Sequence, residues 1–175
     1  KHYRPDLRME DIRGNVETRI RKAHDPDSVY TATLLACAGL ERLGLDDVIS
    51  QVMPFEIMLP APGQGALAVQ CRDDAESLQL LQPIHNESTA APVRAERAFL
   101  AALEGGCSLP VAAHAEVREG RLYFHGRVTS VDGTQQIDVR ADGSLEDASQ
   151  IGREMAVEAL NQGADQILQG LADHG

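Results

Sequence analysis

The stretch LPVAAHAEVREGRLYFHGRVTSVDGTQQIDVR, residues 109–140, decides the fold. It predicts three strands, over about 109–117, 121–130 and 134–140. Glu119-Gly120 and Asp132-Gly133 between them are hairpin turn signals. On the N-terminal side, Ser88 or Thr89 caps a predicted helix over about 91–104. Its apolar positions Val93, Phe99, Leu100 and Leu103 recur at helical spacing, and Gly105-Gly106 stops it. On the C-terminal side, Leu145 to about Gly170 reads as one long amphipathic helix. The order α-β-β-β-α predicts a small antiparallel sheet with both helices on one face.

Further upstream the rhythm changes. Residues 8–13 read as a short strand ending at Gly14, and Asn15 caps a helix over 16–24 with Glu17 in its first turn. Asp25-Pro26-Asp27 breaks that helix. The run Val29 to Ala38 fits a buried parallel strand. Gly39 to Leu45 is a further helical turn, and Asp46-Asp47 can start the next. This is β-α-β-α, the order of an open parallel sheet, although two strands are too few for a stable one. Pro54 to Pro62 is a proline-rich connector. Gly63-Gln64-Gly65 leads into a predicted strand Ala66 to Cys71, ended by Arg72-Asp73-Asp74. A helix over 75–81 and a loop over 83–87 complete the link. There is no internal repeat and no low-complexity tract.

The 175 residues amount to one domain or two small ones. With 43% hydrophobic and 25% charged residues, the composition is globular and excludes a disordered tail. Sixteen basic against 27 acidic groups leave a net charge of −11, which argues against nucleic acid or an anionic membrane as partner. The longest apolar run, Thr31 to Leu40, is too short to cross a bilayer, and the opening Lys1-His2-Tyr3-Arg4-Pro5 has no apolar signal-peptide core behind it. Three Cys without a Cys-x-x-Cys pair point to a reducing compartment and no structural zinc. Residues 1–22 nevertheless carry seven basic groups against four acids. Arg accounts for 14 of the 16 basic residues, and its planar fork grips carboxylate or phosphate. A small anionic ligand is one reading of that segment, and a solvated mixed-charge surface is the other.

Cys107 is the residue most suggestive of chemistry. It follows a glycine-stopped helix and precedes Pro110, which places a thiol on a loop. A helix C-terminus carries negative partial charge and disfavours a thiolate, so a protease-type nucleophile is not favoured. A thiol alkylated once to hold a cofactor is compatible, and so is an inert loop thiol. Cys37 and Cys71 sit in apolar strand patterns and are expected in the core. Arg13 and Arg19 flank the predicted start of the 16–24 helix, where free N–H groups favour an anion; a plain surface pair is the alternative. Gly63-Gln64-Gly65 permits a close backbone approach or simply makes a turn, and it lacks a dinucleotide fingerprint. His114 and His125 lack metal-ligand spacing and are read as structural. Glu96 and Glu104 could form an acid–base pair, but helix-surface charge is the preferred reading.

Several motifs are similar to those of one family. They are Arg13-Gly14-Asn15-Val16-Glu17-Thr18-Arg19, Ala38-Gly39-Leu40-Glu41-Arg42-Leu43-Gly44, Leu59-Pro60-Ala61-Pro62-Gly63-Gln64-Gly65-Ala66 and Ala95-Glu96-Arg97-Ala98-Phe99-Leu100. The most specific is Leu103-Glu104-Gly105-Gly106-Cys107-Ser108-Leu109-Pro110-Val111. In order and spacing they resemble porphobilinogen deaminase, or hydroxymethylbilane synthase, over nearly the whole chain. The resemblance implies a transferase of tetrapyrrole biosynthesis that joins porphobilinogen units head to tail with loss of ammonia. It implies a dipyrromethane cofactor held by a thioether to Cys107. It further implies that Arg13, Arg19 and Arg42 hold the acetate and propionate arms of the pyrroles, with Gln64 on the cofactor side. The family's cytoplasmic location is implied too, with a plastid as the alternative for a plant source, and so is a monomer.

The same resemblance implies a partition: residues 1–58 as part of an α/β second domain of a two-domain ligand-closing fold, 59–82 as a segment returning to a first domain, and 83–175 as the cofactor-attachment domain. The family's catalytic Asp lies in a His-Ser-x-Lys-Asp motif that does not occur in this sequence. No catalytic residue is therefore assigned here, and the chain is expected to need the N-terminal part of the same protein for turnover. A non-catalytic small-anion binding module of the periplasmic-binding-protein-like fold is the competing reading; Cys107 discriminates, because such a module has no use for a loop thiol. A thiol hydrolase, the third reading, lacks a clear His partner for Cys107.

Overall fold

A computed structural model of the chain describes residues 1–103 and 110–172. Two compact units are present: Asp6–Pro54, and Lys1–Pro5 together with the chain from Phe55 onward.

The second unit is built as the hairpin signals predict. Strands β1 (Val111–Arg118), β2 (Arg121–Thr129) and β3 (Gln136–Gly143) form an antiparallel sheet in the order β1-β2-β3. Val111 pairs with Val128, and Leu122 with Gly143. Glu119 and Gly120 both take positive φ, at 50° and 75°, as a tight hairpin turn requires. Alternate residues of β1 and β2 point into the core: Val111, Ala113 and Ala115, then Leu122, Phe124 and Val128. Helices α4 (Glu87–Ala102) and α5 (Ala148–Asn161) cover that face, and both pack on the sheet and on each other.

Small residues set the helix spacing. A Cβ added at Gly152 of α5 would lie 2.1 Å from the Ala95 carbonyl oxygen of α4. Gly126 serves the same purpose beneath the Phe99 ring, which it would otherwise meet at 2.7 Å. Phe99 is fully buried and meets Phe124 edge-on, with ring centroids 5.3 Å apart.

The boundaries correct the sequence reading in two places. Helix α4 starts at Glu87, capped by Asn86, whose Oδ1 accepts the Thr89 N–H at 3.0 Å. Pro92 lies buried inside α4, which absorbs one missing N–H bond. The single long C-terminal helix is two: α5, and α6 (Ala164–Ala172). Gly163 divides them with φ 99°, and its N–H closes the α5 end on the Leu160 carbonyl at 2.9 Å.

The Asp6–Pro54 unit departs further from expectation. Helix α1 (Val16–His24) forms as predicted, followed by α2 (Cys37–Arg42) and a single 3₁₀ turn at Asp46–Val48. The expected parallel strands over 8–13 and 29–38 are not present: among the described residues of this unit none is in a strand. Val29 is 79% exposed, and the C-terminal end of that predicted strand is α2. The predicted strand 66–71, in the other unit, also stands unpaired, with Leu67 85% exposed. A strand is held by ladder bonds to a neighbour, and none of these segments has one among the described residues. The thiols follow the same correction: Cys71 is exposed and Cys37 half-buried, rather than core. Helix α3 (Ala75–Leu81) forms where predicted, capped by Asp74. The expected loop after it begins with a 3₁₀ turn, Gln82–Ile84.

Candidate functional site

The start of α1 is assembled by residues spread over 13–22. Gly14 takes φ 128°, and any side chain there would collide with Thr18 at 2.7 Å. Asn15 then caps the helix, its Oδ1 accepting the Thr18 N–H at 2.9 Å. Arg19 folds back one turn, so that its Nε donates to the Gly14 carbonyl at 2.8 Å. Lys22 Nζ donates to the Arg13 carbonyl at 3.0 Å. Arg13 itself is exposed, and Arg19 is half-buried. Neither guanidinium forms an ion pair with a described residue.

With Nε committed, Arg19 keeps its terminal nitrogens for an incoming acceptor. The capped helix start adds positive partial charge. The arrangement suits a carboxylate in both sign and geometry. Arg42, the last residue of α2, is exposed and likewise without an ion pair. Arg13, Arg19 and Arg42 all belong to the Asp6–Pro54 unit, whereas Gln64 belongs to the other. Cys107, Glu104 and the two glycines before Cys107 lie outside the described residues.

Gln64 is exposed at the end of a turn in which its N–H reaches the Ala61 carbonyl at 3.3 Å. Gly63 occupies the left-handed region at φ 77°. Its N–H donates to Glu96 Oε2 at 2.6 Å, while the Ala115 N–H donates to Glu96 Oε1 at 2.8 Å. Glu96 is therefore not helix-surface charge. It is 6% exposed, facing β1, and burial raises its pKa against the two backbone N–H bonds, which lower it. The sequence signal that could have found it was helical spacing. Glu96 lies one residue after Ala95 and three before Phe99, both fully buried.

A second polar cluster, missed by sequence reasoning, occupies the sheet face away from the helices. Arg127 is 6% exposed there. Its Nε donates to Asp138 at 2.9 Å, and its terminal nitrogens donate to the carbonyls of Ile57 at 3.1 Å and Glu56 at 2.9 Å. His125 Nε2 shares Asp138 Oδ1 at 2.5 Å, and Phe55 stacks on His114 at 3.9 Å. His125 is thus tied to Asp138, and His114 to Phe55. A groove of about 350 Å³ beside them is lined by His114, Glu116, Tyr123, His125 and Arg140. It contains none of the sequence-predicted site residues. Among the described residues no group of three or more His, Cys, Asp or Glu could hold a metal.

The fold defines a protein with an α+β domain following a unit in which Arg13 and Arg19 flank a capped helix start. Two family models match it in chain order: "Porphobilinogen deaminase, dipyromethane cofactor binding domain" over residues 1–80, and "Porphobilinogen deaminase, C-terminal domain" over residues 90–161. The chain belongs to the porphobilinogen deaminase family. Among curated relatives, the porphobilinogen deaminase of Moorella thermoacetica is 47% identical over 169 residues, covering 96% of this chain and 53% of its own length. That of Geobacillus kaustophilus is 45% identical over 169 residues, at 95% and 53%. That of Syntrophomonas wolfei is 44% identical over 169 residues, at 96% and 55%. The chain spans about half the length of the curated relatives it matches.

Proposed function

We propose that this chain is the cofactor-carrying part of a porphobilinogen deaminase, a transferase that condenses porphobilinogen into hydroxymethylbilane with release of ammonia. The observation that carries the reading is the match of both family domains, in order, across nearly the whole chain. That match favours the deaminase over a small-anion binding module.

In this reading the dipyrromethane cofactor, when bound, supplies the pyrrole terminus to which each new unit is joined. This chain's residues bind and orient. Cys107 holds the group covalently. The start of α1 fits its acid arms: Arg19 presents the terminal nitrogens that Gly14 leaves uncommitted, and exposed Arg13, two residues before the Asn15 cap, offers a second guanidinium. Arg42 and Gln64 contribute further donors. A fork held against the backbone loses little side-chain entropy on binding, which favours orientation as well as affinity.

The remaining parts of the reading concern the rest of the protein. Residues 1–58 would form part of an α/β second domain that is completed outside this chain. Residues 59–82 would return to a first domain, and 83–175 would form the attachment domain. The carboxylate that stabilises positive charge developing on the substrate would come from the part this chain does not span, since guanidinium groups carry the wrong sign for that task. The reading places the protein in the cytoplasm.

The test is reconstitution. The chain alone should make no hydroxymethylbilane from porphobilinogen, and should do so once the remaining half of the protein is supplied. Intact mass of the complete enzyme should show one dipyrromethane, lost in Cys107→Ser because a hydroxyl is a much poorer nucleophile than a thiol. Turnover by the chain alone, or an adduct retained on Cys37 or Cys71, would overturn the assignment.

A further inference from the structure

The carboxylate of Glu96 is buried without a cationic side chain bound to it among the described residues. Such a group is costly unless its lone pairs are used. Its two partners are backbone N–H groups from separate pieces of chain: Ala115 in β1 and Gly63 in the segment before α3.

Strand β1 is an edge of the sheet, so its outward N–H groups need acceptors. Ala113 and Ala115 are two apart and point the same way. Ala113 N–H finds the Pro60 carbonyl at 3.0 Å, which is one rung of a ladder. The chain then leaves the edge through the Ala61–Gln64 turn, and among the described residues no carbonyl reaches Ala115. Glu96 Oε1 takes the place of that missing rung. Its second oxygen reaches over to the departing turn at Gly63. One carboxylate thereby fixes the turn to the strand it has just left. The turn's own closure is the long 3.3 Å bond from Gln64 N–H, so most of its attachment passes through Glu96 and Pro60.

We propose that Glu96 is a positioning residue that pins the Gly63 amide to the β1 edge and so sets where Gln64 stands. That Gln64 meets the cofactor rests on the function proposed above; the pinning of Gly63 does not.

The substitution Glu96→Gln separates the two. An amide has one acceptor oxygen and one donor nitrogen, so it serves one of the two N–H groups and opposes the other. Hydrogen exchange of the Gly63 amide in this chain should accelerate at least tenfold, while Leu122 and Val128 in β2 keep their protection. Glu96→Met, an apolar replacement of similar length, should show the same loss at Gly63 if the amide variant folds poorly. Unchanged Gly63 exchange in the folded variants would overturn the proposal.

A second readout uses the complete enzyme and follows covalent dipyrromethane uptake by intact mass in Glu96→Gln, Gln64→Ala and the double variant. A positioning role predicts that both singles slow uptake and that the double is no slower than Gln64→Ala, because Glu96 acts through Gln64. Additive slowing would overturn it. Normal uptake in Gln64→Ala would instead remove Gln64 from the cofactor site and leave Gly63 exchange to decide the role of Glu96.

Discussion

The two compact units of this chain differ in where their order comes from. From Phe55 onward a continuous core runs through α4, the sheet, α5 and α6, with Phe99, Leu122 and Val128 fully enclosed. In Asp6–Pro54 the one residue classed as buried is Leu40. Its helix α1 is held by its cap, its folded-back arginine and its own backbone bonds. Short helices of that kind are marginal without tertiary packing. The comparison teaches that local signals place an element, whereas burial decides how firmly it is held.

The largest expected effect tests the packed unit. Phe99→Ala empties the space over Gly126 and beside Phe124, and should cost about 3–5 kcal/mol. Denaturant unfolding followed by a probe in the sheet should report the full loss, with the helical signal of α1 unchanged. Joint loss of both would break the distinction between the units. Gly152→Ala comes next. The added methyl meets the Ala95 carbonyl, and the helices must part at a cost of about 1–3 kcal/mol. A thermal midpoint equal to the parent's would contradict the close approach of α4 and α5.

The same unit should lose stability on acidification in two stages. Burial pushes the His125 pKa below its ordinary 6.5, outweighing the Asp138 bond that raises it. Burial pushes Asp138 upward, but hydrogen bonds from Arg127 and His125 prevail and hold it below 3.8. Both folded pKa values are depressed, so each contribution is present above the unfolded value and is lost as pH falls through the folded one. Unfolding free energy should begin to fall below about pH 6.5 and fall again in the carboxylate range. His125→Gln should flatten the first stage and leave the second.

A smaller effect sharpens the other side of the comparison. Asn15→Ala removes the α1 cap and should cost about 1 kcal/mol of local helix stability. Amide exchange over 16–24 should quicken while the sheet is untouched. The mildest test is chemical: a thiol reagent should label exposed Cys71 before half-buried Cys37.

These contrasts explain which parts of the molecule were legible in the sequence. The hairpins at Glu119-Gly120 and Asp132-Gly133, and the Asn15 cap, announce themselves within a few residues. The strands expected over 8–13 and 29–38 depended on partners, which no local pattern supplies. The α4 start was placed late because Ser88 and Thr89 are capping types too, whereas Asn86 holds the cap. Glu96 was misread because a charged residue on a helix is usually solvated, and its acceptors' purpose lies in chain 33 residues earlier and 19 later. Arg127 shows the same limit, since the carbonyls it binds are 70 and 71 residues away. That Arg13 and Arg19 stand at a capped helix start was legible from the Gly14-Asn15 signal alone, whereas a ligand for them is not written in any local pattern.

The edge of β1 carries one more consequence. An open strand edge is a template on which another copy of a chain can add, and sheet proteins must guard against such growth. Here the donors at Ala113 and Ala115 are already taken, one by a proline carbonyl and one by a carboxylate. Neither occupant offers an edge on which further strands could stack: Pro60 has no N–H to continue a ladder, and the Glu96 carboxylate, already bonded to Ala115 and Gly63, presents no backbone groups to another strand. The fastening of a turn is therefore also a barrier to polymerisation, and its loss would surface first as turbidity in concentrated solutions.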